Sequence, residues 1–187
     1  DFINNALNLE LPNIIYIATL TPRKCHLDLI DALSKTKTLL NVNLVGYPTS
    51  KKIQSLIESK MTINGNIIRS NINYFPKLCQ KDLCTLLLYS SAYVSTSMNE
   101  GFGIPVLEAA LYDVPLIIRD IDINRELFTN SLFFRSTNEL SKIFDNLKPL
   151  TKIEIKKRKE CLLKINEENL MTLFNYSTLS NRLKKLI

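Results

Sequence analysis

The sequence predicts a doubly wound α/β domain, with one Rossmann-like parallel sheet of about six strands and helices on both faces. Three observations predict it. Six short runs are apolar and rich in β-branched residues without strict alternation, the pattern of strands buried on both faces. Stretches with the apolar spacing of helices separate these runs, so consecutive strands are joined by crossovers and lie parallel. One run also passes through a glycine turn directly into a helix, at the carboxyl end of a strand where such sheets hold ligands.

Taken in order, the first strand is Asn13–Ala18, an uninterrupted apolar stretch after its asparagine. A short loop containing Pro22, Arg23 and Lys24 leads into a helix over His26–Leu40. The second strand, Val42–Val45, ends at Gly46, and a helical period covers Ser50–Lys60. The third strand is placed at Asn66–Ile72, followed by the loop Asn73–Leu78 and a helix over Lys81–Ser90. Ala92–Thr96 is the fourth strand, and Ile104–Tyr112 is a helix with Pro105 in its first turn, where the missing N–H costs little. Pro115–Ile118 and Ser131–Phe134 are the fifth and sixth strands, separated by a short helix over Ile123–Phe128. Helices over Asn138–Leu147 and Thr151–Lys164 follow. The final stretch, Leu170–Ile187, has apolar residues at 179, 183 and 186 and an N-cap candidate in Ser177. Residues 1–187 read as a single domain, with 170–187 as its C-terminal helix, which is similar to the closing helix of the family named below.

The richest segment for function is Ser97–Ala109, S-M-N-E-G-F-G-I-P-V-L-E-A. A strand, a glycine turn and a helix start aim several backbone N–H groups at one point, and the helix dipole favours negative charge there. That arrangement suits a phosphate. Glu100 stands before the helix and Glu108 about one and a half turns inside it, so the two carboxylates flank the same place. Each can accept two hydrogen bonds, as the vicinal hydroxyls of a sugar require. Residue types and spacing therefore point to a nucleotide sugar. The plainer reading is a helix start that happens to carry glycines and two acids.

The same residues resemble the signature of retaining glycosyltransferases of the GT-B fold, glycosyltransferase family 4, whose members carry Glu, seven residues and a second Glu in closely similar text. Every position from Glu100 to Ala109 fits. The resemblance implies the C-terminal, donor-binding half of a GT-B enzyme, with the N-terminal acceptor-binding domain absent from these residues. It implies a hexosyltransferase that uses a UDP- or GDP-hexose, inactive as this isolated domain. Glu100 would contact the transferred sugar and stabilise positive charge at its anomeric carbon, as nucleophile or as electrostatic partner. Glu108 would bind the ribose, and the backbone of Gly101, Phe102, Gly103 and Ile104 would bind phosphate or sugar.

The loop Ala18–Lys24 resembles the family's G-x-L-x-P-x-K, in which cations meet the charge that develops on the departing diphosphate. Arg23 and Lys24 would supply them. Ala18 and Thr19 replace the Gly and Arg of many members, and Arg23 stands in for the missing cation. Gly46 ends the second strand as in the family, although a turn residue is its plainer reading. Lys77 and Leu78 would offer backbone groups to the base. His26, the only histidine, is expected as a partly exposed residue at a helix start. Asp120, Asp122, Arg125 and Glu126 lie near the site by topology but match no catalytic pattern. A nucleotide-sugar 2-epimerase and a non-enzymatic nucleotide-sugar-binding half of a split assembly are the alternatives. The first should lack the paired-Glu text.

Composition narrows the rest. The chain has 187 residues, 45% hydrophobic, and a mean hydropathy of +0.01, values of a globular chain large enough for one well-packed domain. No apolar run reaches the length of a membrane span. Asp at position 1 indicates a piece of a longer chain. The four cysteines have no metal-ligand spacing and read as reduced cytoplasmic thiols. A net charge of +6 draws largely on Lys152–Lys164, a solvated helix face or a peripheral contact with the inner face of a membrane. Nothing resembles a nucleic-acid module, a dinucleotide fingerprint or a Walker loop. Without an Asp-x-Asp pair, no metal and no cofactor beyond the sugar donor is expected.

Overall fold

The computed structural model describes residues 6–62 and 69–167. Its strands are β1 (Asn13–Ile17), β2 (Asn41–Val45), β3 (Asn71–Phe75), β4 (Ala92–Ser95), β5 (Leu116–Arg119) and β6 (Leu132–Phe134). They form one six-stranded sheet in the order β3-β2-β1-β4-β5-β6. Every neighbouring pair is parallel. The apolar runs become strands because both faces are covered. Ile14, Ile15, Val42, Leu44, Val94, Ile117 and Ile118 are buried together with Leu29, Leu33, Phe134 and Phe144, and full burial of each such side chain stabilises by about 1.5–3 kcal/mol.

The helices are α1 (His26–Lys35), α2 (Lys51–Thr62), α3 (Gln80–Leu88), α4 (Ile104–Leu111), α5 (Asp122–Leu127), α6 (Thr137–Phe144) and α7 (Lys152–Glu167). The chain steps outward from β1 to β3, crosses back over the sheet to β4, and steps outward again to β6. The loops after β1 and β4 therefore leave in opposite directions and open a crevice between neighbouring strands, at the sheet's topological switch point.

The two largest departures from expectation, of five residues each, are the end of α1 and the start of β3. The helix expected over 26–40 ends at Lys35. There the Thr36 hydroxyl donates to the Ala32 carbonyl at 2.8 Å, and Thr36 itself is extended. The Asp145 carboxylate then accepts the N–H groups of Lys37 and Thr38 at 2.7 and 3.0 Å, which draws the chain towards α6. The third strand is Asn71–Phe75 rather than 66–72, so Asn73–Phe75 belong to the sheet and the loop begins at Pro76. Asparagine reads as a turn residue, but here it pairs in register. Asn43 lies opposite Asn73, and the Asn73 amide donates to the Asn43 side-chain oxygen at 3.1 Å. The expected closing helix over 170–187 lies outside the described residues.

Candidate functional site

Two loops build the crevice. The first leaves β1 through Ala18–Thr21, makes a 3-10 turn over Pro22–Lys24, and enters α1 through Cys25 at φ 49°. The second leaves β4 through Thr96–Phe102 and enters α4 through Gly103 at φ 66°. Only glycine adopts that left-handed conformation without strain, and Pro105 sits in the first turn of the helix that follows.

Side chains and backbone lock the loops together. The Met98 N–H donates to the Arg23 carbonyl at 3.1 Å. The Thr96 hydroxyl lies 2.8 Å from the Cys25 carbonyl and 3.0 Å from the Lys24 carbonyl. The Tyr16 hydroxyl donates to the same Lys24 carbonyl at 2.6 Å, and burial pushes that phenol well up, so it stays a donor. Above this scaffold the Lys24 ammonium donates to Glu100 Oε1 at 2.6 Å. The two side chains are only 14% and 11% exposed, so this is a largely desolvated ion pair spanning the crevice. Such a pair depends on each partner, because either charge left alone would be strongly unfavourable.

Glu108 is different. It lies half-buried on α4, and among the described residues no hydrogen bond or ion pair engages its carboxylate. Burial raises its pKa, the signature of a carboxylate short of donors. The buried Tyr93 phenol beneath is pushed up first by burial, then by Tyr16, Glu100 and Glu108. The charges of both glutamates thus reach the same buried phenol.

The remaining predicted residues distribute as follows. Arg23 is exposed on the 3-10 turn, and Phe102 and Ile104 are exposed beside Glu100. Gly101 has open space around its α-carbon, whereas Gly103 packs against Val106 and Phe128. Gly46 ends β2, one strand from the crevice, and its α-carbon lies hard against the Ala18 backbone. Lys77 and Leu78 follow β3, the edge strand, at the same end of the sheet but two strands from β1. Asp120 pairs with Arg125 and with Arg135, the latter at 2.6 Å.

His26 corrects an expectation: it is 2% exposed rather than partly exposed. Its ring stacks on Tyr16 with centroids 4.7 Å apart, and neither ring nitrogen has a hydrogen-bond partner. Burial lowers its pKa to about 4; the nearby Ala18 backbone opposes the shift and Lys24 adds to it. Sequence reasoning missed Tyr16, Thr96 and Arg119, which hold the loops. Arg119 carried a faint signal, as a lone cation continuing the apolar run 115–118.

The fold and this crevice define a Rossmann-like ligand-binding domain of the GT-B kind. The family model of glycosyl transferases group 1 matches residues 1–161, and the chain belongs to that family. It is 28% identical over 126 residues to the serotype-specific mannosyltransferase WbdA of Escherichia coli, covering 62% of this chain and 14% of that protein. It is 44% identical over 50 residues to the O-antigen chain mannosyltransferase RfbU of Salmonella typhimurium, covering 26% of this chain and 14% of that protein. The chain thus spans about 14% of the length of these curated relatives.

Among solved structures, Anabaena HepE in complex with UDP and glucose is similar at a TM-score of 0.63 and 22% identity, over 73% of this chain and 38% of that one. A trehalose 6-phosphate synthase from Burkholderia multivorans is similar at 0.68 and 14% identity, over 99% and 45%. The catalytic domain of a cholesterol-α-glucosyltransferase from Helicobacter pylori is similar at 0.55 and 19% identity, over 80% and 95%. At these identities the likenesses speak for the fold.

Proposed function

We propose that this chain is the donor-binding domain of a retaining hexosyltransferase that takes a nucleoside-diphosphate hexose and serves a glycan or glycolipid acceptor. The observation that carries the reading is the Lys24–Glu100 pair across the switch point, with the unengaged Glu108 carboxylate on α4. In this reading Lys24 and Arg23 face the diphosphate, and the start of α4 adds its N–H groups and dipole. Glu108, short of donors, accepts the two ribose hydroxyls. Glu100, fixed by Lys24, faces the hexose, where its charge favours the positively charged transition state over the neutral ground state.

The lysine has two duties in sequence. Without donor it neutralises Glu100. With donor bound it lies between a carboxylate and a diphosphate, and stabilises the charge that leaves with the nucleotide. No metal is called for, because fixed cations already meet the diphosphate. The mannosyltransferase names of the curated relatives support a hexose as the transferred group, and the HepE structures with UDP and UDP-glucose support a nucleoside-diphosphate sugar as donor.

The test is calorimetry with bare UDP and GDP. Glu108→Ala should weaken nucleotide binding by roughly 10- to 100-fold, since a charge-assisted contact is worth about 1.5–3 kcal/mol. Glu100→Gln should leave bare-nucleotide affinity near wild type. Unchanged affinity in Glu108→Ala, or equal losses in both variants, overturns the assignment.

A further inference from the structure

Arg119 is the last residue of β5 and only 9% exposed. Among the described residues it forms no hydrogen bond or ion pair with Lys24 or Glu100, yet it reaches the point where their loops meet. Its Nε donates to the Thr96 carbonyl at 2.8 Å. Its Nη2 pairs with the Asp28 carboxylate on α1. The guanidinium also lies 5.3 Å from the centroid of the Phe134 ring on β6. The Asn124 side chain donates to the Arg119 carbonyl at 2.9 Å, so the backbone of Arg119 is held as well.

Thr96 makes this position consequential. Its carbonyl is held by Arg119, and its hydroxyl is shared by the Lys24 and Cys25 carbonyls. Glu100 follows four residues later on the same loop. One planar cation therefore fixes the root of the Glu100 loop relative to α1, and Thr96 passes that register to the backbone of Lys24. A lysine cannot substitute, because an ammonium lacks the fixed fork that aims donors in two directions at once.

We infer that Arg119 is a positioning residue for the donor site: through Thr96 and Asp28 it fixes the Glu100 loop against α1, and so the placement of Glu100 at the hexose end of the donor. The inference rests on the donor-site reading above.

A double-mutant cycle tests it. Affinities for a nucleoside-diphosphate hexose and for the bare nucleoside diphosphate are measured by calorimetry in wild type, Arg119→Met, Glu100→Gln and the double variant. Arg119→Met should weaken binding of the sugar nucleotide about tenfold, while bare-nucleotide affinity stays within roughly threefold, a size typical of coupled neighbours. In the Glu100→Gln background the same substitution should cost little more. Arg119→Lys should behave as Arg119→Met, since charge alone does not supply the fork.

A purely structural arginine would weaken both ligands alike and add its full effect in either background, and that result overturns the inference. Restoration by lysine overturns it too. If wild type binds neither ligand, the donor-site reading itself falls and this inference with it. If wild type binds and the cycle is additive, only the role of Arg119 falls. Should Arg119→Met not fold, Asp28→Asn leaves the guanidinium in place and enters the same cycle under the same criteria.

Discussion

A buried base without hydrogen-bond partners resists protonation, and His26 is such a base. Its folded pKa is about 4 against an ordinary 6.5, so above pH 6.5 it is neutral in both states and contributes no pH dependence. As pH falls through 6.5 the unfolded chain takes up a proton that the folded chain refuses, and stability is lost until the folded pKa is passed. About 2 kcal/mol should be lost by pH 5, and about 3 kcal/mol in all. Urea unfolding of wild type and His26→Phe, which keeps a ring against Tyr16, should give a steeper loss between pH 6.5 and 4 in wild type. Parallel curves would sink the argument. At this scale the sequence displayed residues whose meaning is local. Glu100, Gly103 and Pro105 could be read from neighbouring text, and Lys24 from the resemblance of its loop to the family's G-x-L-x-P-x-K. It showed Arg119 only as a lone cation after an apolar run, and gave no sign of Thr96, because their partners Asp28 and Lys24 lie 91 and 72 residues away. The burial of His26 was hidden for the same reason: Tyr16, its stacking partner, belongs to the preceding strand.

Elements were legible in type more than in extent. Buried strands announce themselves by apolar content, which placed β1, β2, β4, β5 and β6 within a residue or two of where they lie. β3 slipped because its defining feature is a pairing across strands, Asn41 with Asn71 and Asn43 with Asn73, that no single stretch reveals. The far end of α1 slipped because Asp145, on another element, captures the backbone beyond it. Gly46 joins two elements in a way that can be checked. A Cβ there would sit 2.0 Å from the Ala18 carbonyl oxygen, with φ at 153°. Backbone must move to admit it, and the Gly46 N–H to Phe75 carbonyl bond and the Ala18 N–H to Val45 carbonyl bond lie in the path. Gly46→Ala should cost about 3 kcal/mol, the upper end of overpacking costs, or a fall in Tm of roughly 6–12 °C for a chain of this size. A Tm unchanged within 2 °C (the shift expected for about half a kcal/mol) would mean the two strand ends separate freely. Gly101→Ala, which meets nothing within 4 Å, is the matched control.

At the scale of the whole molecule, one sheet supplies everything the donor reading needs. Cations stand after β1, a helix start and two carboxylates after β4, and a positioning arginine at the end of β5. The exposed Met98, Phe102 and Ile104 ring the Glu100 loop and lie open to solvent, and the two longer structural neighbours extend over more than twice the stretch this chain covers. Binding and transfer should therefore separate. Residues 1–187 should bind a nucleoside diphosphate, and should do so in excess chelator if, as proposed, Lys24 and Arg23 meet the diphosphate without a bridging metal. The affinity should fall as salt rises, since part of the attraction comes from the exposed Arg23 and from a chain of net charge +6. Sugar transfer from a UDP- or GDP-hexose by these residues alone should be negligible: this stretch covers under half of the two longer neighbours, and orientation of an acceptor against Glu100, which accounts for a large part of any such rate, is expected to need the rest. Two measurements decide the matter: calorimetric titration with and without chelator, and release of nucleotide from labelled donor in the presence of candidate glycan acceptors. Binding lost in chelator would reveal a metal requirement that the fixed cations do not meet, and robust transfer by this chain alone would show that the crevice already carries its own acceptor site.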